Sequence, residues 1–189
     1  MSRLALVDPT DTTGAARDII DRVERSFGRV PNAIRVLANS STALQAWWAF
    51  ERAFDRSALP PSLREQLALS TAGANGCSYC VGLHSAIAGR LGVGDDDIAA
   101  AIDGGSSDPT AAAVLRFARA AQATNGAVLD ADLDEARAAG LDDGRLVEIL
   151  AVVAINTFNN ACNRLAETPP DTAGDTDHGE HHPHAASGP

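Results

Sequence analysis

The stretch Ser62-Leu-Arg-Glu65-Gln-Leu-Ala-Leu-Ser-Thr-Ala-Gly-Ala-Asn75-Gly76-Cys77-Ser-Tyr79-Cys80-Val-Gly-Leu-His84 decides how this chain is read. Pro60-Pro61 breaks the chain just before it. Ser62-Leu-Arg-Glu65 then matches a capping box and predicts a helix to about Ala74. Asn75-Gly76 is a stop signal. Cys77 is therefore predicted at the start of the next helix, with Cys80 in its first turn and His84 on the same face. Eleven residues separate Glu65 from Cys77, two separate the cysteines and three separate Cys80 from His84.

Those residue types at that spacing point to redox chemistry. A helix N-terminus carries unpaired N–H groups and a positive partial charge, which favour thiolate. They lower a cysteine pKa from roughly 8.5 toward neutrality. A Cys-x-x-Cys pair can close a small disulfide ring. A histidine one turn beyond Cys80 titrates near neutrality and can exchange a proton with it.

Plainer readings stand beside this one. Cys77 and Cys80 would also serve as small buried hydrophobes. Glu65 is explained equally well as the reciprocal partner in the Ser62 capping box or as a carboxylate orienting His84. Tyr79 is a pocket wall, a hydrogen-bond donor or packing. Trp47, Phe50 and Phe54 recur on one helical face, as core, as the apolar wall of a substrate channel or as a subunit interface, and Trp48 is a further pocket candidate beside Trp47 and Tyr79. Zinc would need Cys77, Cys80, His84 and Glu65 as ligands. Structural zinc sites usually carry a second ligand pair, which the sequence before the tail lacks, so no metal and no cofactor is expected.

Working outward, nearly every segment has helical periodicity. Helices are predicted from about Thr13 to Phe27, from Pro31 to Ala38, and from a Ser41 or Thr42 cap to Arg56. Beyond the central stretch they are predicted over Asp95–Ile102, Pro109–Thr124 with Asp108 as cap, Asp130–Ala139 and Asp143–Leu165. Gly28, Gly92 and Gly94 are stops. A single helical domain over residues 1–167 follows. Residues 168–189, rich in Pro, Gly, Asp and His, are expected to be a disordered acidic tail, whose His178, His181, His182 and His184 offer weak metal ligands.

A repeat lies within the domain. Glu65 precedes Cys77 by twelve positions and Cys80 by fifteen; Glu148 precedes Asn160 and Asn163 by the same offsets. Leu63, Leu67 and Ala68 match Leu146, Leu150 and Ala151. This suggests two helical units, the first carrying thiols and the second amides, with Cys162 a core thiol at the Tyr79 position.

Composition limits the partners. The net charge of −10 over 189 residues, with five acids and no Lys or Arg in residues 167–189, leaves about −5 on the rest and no basic patch for nucleic acid. No apolar stretch approaches the ~20 residues a membrane span needs, and the N-terminus lacks a signal-peptide core, so a cytoplasmic protein without a membrane partner is expected. Three cysteines do not make a secreted disulfide framework.

The pattern Glu-x11-Cys-x-x-Cys-x3-His resembles the core motif of the alkylhydroperoxidase D family, within the carboxymuconolactone decarboxylase-like superfamily. The resemblance runs from about residue 20 to 168, with the Val30-Pro31-Asn32 segment, the Leu-Arg-Glu helix and the Asn-rich last helix. The single Tyr79 between the cysteines is similar to the peroxidase-related branch, since the best-understood members have histidine there. The resemblance implies an all-α fold assembled into trimers or hexamers. It also implies a hydroperoxide substrate, Cys80 as the attacking thiolate, Cys77 as the resolving thiol, and His84 with Glu65 as proton relay. The reductant would be a dithiol such as a lipoylated protein. Two other classes remain: lactone decarboxylation, whose members do without the cysteine pair, and a non-enzymatic redox sensor whose disulfide switches assembly.

Overall fold

The computed structural model describes residues 2–171. Within them the chain forms nine α-helices and two short 3-10 turns, with no strand. The helices are α1 (Gly14–Phe27), α2 (Asn32–Leu37), α3 (Ser41–Ala53), α4 (Pro61–Asn75), α5 (Ser78–Arg90), α6 (Asp95–Ile102), α7 (Pro109–Thr124), α8 (Asp130–Ala138) and α9 (Asp143–Ala166). The 3-10 turns are Pro9–Asp11 and Phe54–Arg56. The expected all-α fold is the fold found among the described residues.

Local chemistry explains most boundaries. Gly28 and Gly76 end α1 and α4 in the left-handed conformation, at φ 73° and 64°, which costs glycine little. Asp108 and Asp142 cap α7 and α9 by accepting the backbone N–H of Ala111 at 2.7 Å and of Arg145 at 2.8 Å. Two expectations change. The cap of α3 is Ser40, whose Oγ accepts the Ala43 N–H, one residue ahead of the predicted Ser41 or Thr42. More consequentially, the capping box at Ser62 does not form. Pro61 occupies the first helical position, Pro60 is the cap residue, and no side chain caps α4. A proline suits that position, because its missing N–H needs no partner there. Ser62 and Glu65 thereby fall inside the helix, and Glu65 is released from the structural role proposed for it.

Two hydrophobic clusters support a third. α4, α7 and α9 hold the larger, through Leu67, Leu69, Val114, Leu115, Ile149 and Val152. α1, α2 and α3 hold the second, through Ile20, Val23, Ile34 and Leu44. Where the two meet, a small cluster of Ala33, Ala72, Cys77, Tyr79 and Cys80 sits between α2, α4 and α5. α9 packs against α2, α4, α5 and α7 and is the central strut. By length and composition it is apolar enough to cross a membrane, which corrects the expectation of no such stretch. Its inward face is that of a core helix, with Ile149, Val152, Asn156 and Asn160 buried. At the positions of the proposed repeat the first unit bends at Gly76 between α4 and α5, whereas α9 runs unbroken through Asn160 and Asn163.

The segment after α9 is built into the domain. Thr168 is buried, its hydroxyl donating to Asn163 Oδ1 at 2.9 Å. Asn32 donates its side-chain amide to Pro169 O and its backbone N–H to Asp171 at 2.7 Å. The expected tail therefore does not begin at residue 168. Its remainder, with the four tail histidines, lies outside the described residues.

Candidate active site

Gly76 turns the chain so that Cys77 becomes the cap residue of α5, its Sγ accepting the Cys80 N–H at 3.3 Å. Cys77 and Cys80 are joined by a disulfide, their Cα atoms 5.3 Å apart. Each is only 2% exposed. Reagents therefore reach the pair through cavities rather than from open surface, and the two cysteines line different ones.

Cys80 lines a partly open, mostly apolar cavity of about 160 Å³. Phe27, Ile34, Leu37 and Trp47 form part of its wall, brought there from α1, α2 and α3. His84, Glu65 and Glu51 line the same space. Cys77 lines a more open depression of about 310 Å³ with Ser78, Asn163, Arg164 and Glu167. The disulfide thus separates an apolar compartment from a polar one.

His84 Nδ1 lies 2.7 Å from Glu65 Oε2, both side chains largely buried. With the carboxylate ionised, Nδ1 carries the hydrogen and donates it, which leaves Nε2 as the free, basic nitrogen. α4 and α5 place this pair as the sequence spacing suggests.

Glu51, which the sequence reading passed over, enters from α3 and completes the polar group. Burial pushes its carboxyl above the ordinary range. The charges of His84 and Arg64 and a contact from Trp47 oppose this, and the neighbouring Glu65 adds to it. The signal in sequence was slight: Glu51 stands four residues after Trp47 on a face read only for its aromatics. Glu51, Glu65 and His84 also line a polar depression of about 190 Å³ with Asp55, Arg64 and Asn156. The group therefore stands between that depression and the cavity of Cys80.

Asn163, which the repeat singled out without showing its contact, also enters the site. Its Nδ2 lies 3.6 Å from Cys80 Sγ, within hydrogen-bond range for sulfur, and its Oδ1 is held by Thr168. The repeat aligns it with Cys80, an amide standing where the first unit has its thiol. Asn160 is fully buried, and no hydrogen bond reaches either of its side-chain atoms among the described residues.

The three pocket residues expected around the thiols divide. Trp47 lines the Cys80 cavity. Trp48 does not; it packs on the α1–α3 cluster with the Arg52 guanidinium 5.6 Å from its ring. Tyr79 does not either. Its hydroxyl points the other way, accepting the Ala33 N–H at 3.1 Å and donating to Asp171 at 2.9 Å. Burial, with the Asp171 carboxylate adding to it, pushes the phenol well above its usual range. Phe50 and Phe54 stack on each other with ring centroids 5.6 Å apart. Cys162, expected in the core, lines the Cys80 cavity as a free, half-buried thiol whose pKa burial raises. Among the described residues no three His, Cys, Asp or Glu side chains gather as metal ligands.

The carboxymuconolactone decarboxylase family model matches residues 42–123, which spans α3 to α7. A comparison with curated proteins finds no match. Among solved structures, the chain is similar to a peroxidase-related protein from Ralstonia eutropha JMP134, described as an alkylhydroperoxidase AhpD core. The TM-score is 0.82 and the identity 24%, over 90% of this chain and 92% of that one. It is also similar to a peroxidase-related protein from Silicibacter sp. TM1040, with TM-score 0.78 and 20% identity over 89% and 90%. The debrominase Bmp8 aligns with TM-score 0.71 and 24% identity over 85% and 88%, and a variant of it was solved in complex with 2,3,4-tribromopyrrole. At these identities the structural likenesses bear on the fold alone.

Proposed function

We propose that this chain, whose residues 42–123 match the carboxymuconolactone decarboxylase family model, is a thiol-dependent hydroperoxide reductase. The observation that carries the reading is the shared cavity: Cys80, one sulfur of a Cys-x-x-Cys disulfide, opens into the same apolar space as the His84–Glu65 pair.

In the reduced protein His84 takes the thiol proton of Cys80, with Glu65 stabilising the imidazolium. The thiolate attacks the distal peroxide oxygen, the O–O bond breaks, and Cys80 becomes a sulfenic acid as an alkoxide leaves and is protonated. The Cys77 thiol then displaces hydroxide from Cys80, which departs as water, and the disulfide closes. A small-molecule or protein dithiol, such as a lipoyl group, restores the pair. The polar depression beside Cys77 is the side from which a dithiol would attack, releasing Cys80 toward His84 and Asn163. The enzyme is proposed to act as a homo-oligomer; exposed Val147, Leu150, Phe158 and Leu165 along α9 are apolar surface available for such an assembly.

The aromatic wall of the cavity favours a second reading, reductive removal of an electrophilic halogen from a small ring, which would end in the same disulfide. Stopped-flow oxidation of the reduced protein separates the two. Disulfide formation with alkyl hydroperoxides, together with no halide release from bromopyrroles, supports the peroxidase. Fast halide release with no peroxide reaction would replace it.

A further inference from the structure

The reductase reading leaves one proton to be delivered. His84, paired with Glu65, is placed to remove the proton from Cys80. At that moment the leaving oxygen needs a proton, and a base that has just accepted one must give it up again. Glu51 supplies an alternative. It reaches the cavity from α3, while Glu65 and His84 come from α4 and α5, and all three line the space into which Cys80 opens. Among the described residues no salt bridge ties Glu51 to a cation, whereas Glu65 is committed to His84.

We propose that Glu51 is the general acid that protonates the leaving alkoxide, so that removal and delivery of protons fall to different residues on different helices. This rests on the hydroperoxide reading above. The titratable and charged groups around Glu51 are Arg64 and Glu65 on α4, His84 and Cys80 on α5, Asp55 in the turn after α3, and Cys162 on α9. Two acids sharing one partly buried site resist double ionisation, so the one without the imidazole keeps its proton. The raised Glu51 carboxyl agrees with this.

The step balances as follows. The Cys80 thiolate and ROOH give Cys80–S–OH and RO⁻, with sulfur oxidised by two electrons and the peroxide reduced by two. RO⁻ takes the proton of Glu51 to give ROH. The imidazolium of His84, which holds the original thiol proton, returns it to the Glu51 carboxylate directly or through water in the adjoining polar depression. The sum is Cys80–SH and ROOH giving Cys80–S–OH and ROH.

Two oxidants distinguish this from a structural role. tert-Butyl hydroperoxide expels a basic alkoxide that needs a proton. Peracetic acid expels acetate, which does not. Single-turnover oxidation of the parent should fall at high pH with tert-butyl hydroperoxide as Glu51 ionises. Glu51→Gln should slow that reaction at least tenfold and abolish the fall, while peracetic acid reacts within threefold of the parent. Glu51→Asp should recover a large part of the alkyl hydroperoxide rate, which shows that the fold tolerates the position. Equal slowing of both oxidants by Glu51→Gln, or none of either, overturns the proposal. A parent that reacts with peracetic acid but not with tert-butyl hydroperoxide removes the hydroperoxide reading itself, and the role of Glu51 with it.

Discussion

Asn163 places its amide nitrogen 3.6 Å from Cys80 Sγ, so the last helix supplies a donor to a sulfur held on the fifth. A donor near sulfur favours thiolate over thiol. The second helical unit, which carries amides where the first carries thiols, is therefore part of the site. Asn163→Ala should raise the pKa of Cys80 in the reduced protein and slow its alkylation by iodoacetamide at pH 7 about three- to tenfold. Asn163→Asp should slow it further, since a carboxylate beside the sulfur opposes thiolate. Alkylation rates measured against pH decide this; unchanged profiles would return Asn163 to a packing role.

The two cysteines should fail in different ways. Cys80→Ser should abolish reaction with hydroperoxide. Cys77→Ser should permit one turnover and leave a sulfenic acid at Cys80, detectable by mass spectrometry after trapping with dimedone. The asymmetry follows from their cavities, since Cys80 shares its own with His84 and Cys77 does not line it. The reverse pattern would exchange their roles. Cys162→Ser should leave turnover within twofold, because burial raises that thiol's pKa and its partners are already joined to each other.

Glu65→Gln should lower the oxidation rate at least tenfold with little change in melting temperature. No cap depends on Glu65 once Pro61 opens α4, and its contact is with the imidazole. Unchanged activity in Glu65→Gln would leave the His84 orientation to other groups.

How far the sequence could be read follows from which signals are local. Helix starts and stops at Gly28, Gly76, Asp108 and Asp142 depend on residues a few positions apart, and the spacing of Glu65, Cys77, Cys80 and His84 carried the thiol site. At Ser62 two rules compete over the same four residues, and the proline at the first helical position takes precedence over a serine one step later. Glu51 and Asp171 carry no such local signal, and the repeat that points to Asn163 does not show its contact with Cys80, because each acts on a partner far along the chain. Nothing within α3 says that Glu51 will face α4 and α5. Nothing near Tyr79 says that a residue 92 positions on will hold its hydroxyl.

Close helix approach at Gly73 was equally invisible. A Cβ there would lie 2.1 Å from the Ile102 carbonyl oxygen, so α4 and the end of α6 cannot keep their spacing around any side chain. Overpacking of this kind costs about 1–3 kcal/mol, and the better helix propensity of alanine offsets up to about 1 kcal/mol. Gly73→Ala should therefore lower the melting temperature by several degrees, read by circular dichroism. Because the Cys77 N–H bonds to Ala72 O beside it, disulfide closure should slow as well. A variant that melts with the parent would show that α6 yields without cost.

Asp171 ties the segment after α9 to the redox loop. Its carboxylate accepts the Tyr79 hydroxyl at 2.9 Å and the Asn32 N–H at 2.7 Å, with Arg29 at 3.5 Å. Three residues earlier Thr168 holds Asn163, which in turn meets Cys80. The segment thus braces the loop from two sides, through the residue between the cysteines and through the amide on the sulfur. Leaving a buried donor unmet costs about 1–3 kcal/mol, and Asp171→Ala strands two. That variant should be destabilised by about 2–4 kcal/mol in urea unfolding of the full chain, and Asp171→Asn by less, because an amide oxygen can still accept from one of them. Shortening the chain to end at Asp171 should preserve both melting and peroxide reactivity, whereas ending it at Glu167 should lower melting and slow the reaction of Cys80 together. If the chain ending at Glu167 behaves as the one ending at Asp171, the domain stops where the sequence placed its boundary, and the contacts of Thr168 and Asp171 contribute nothing to the fold.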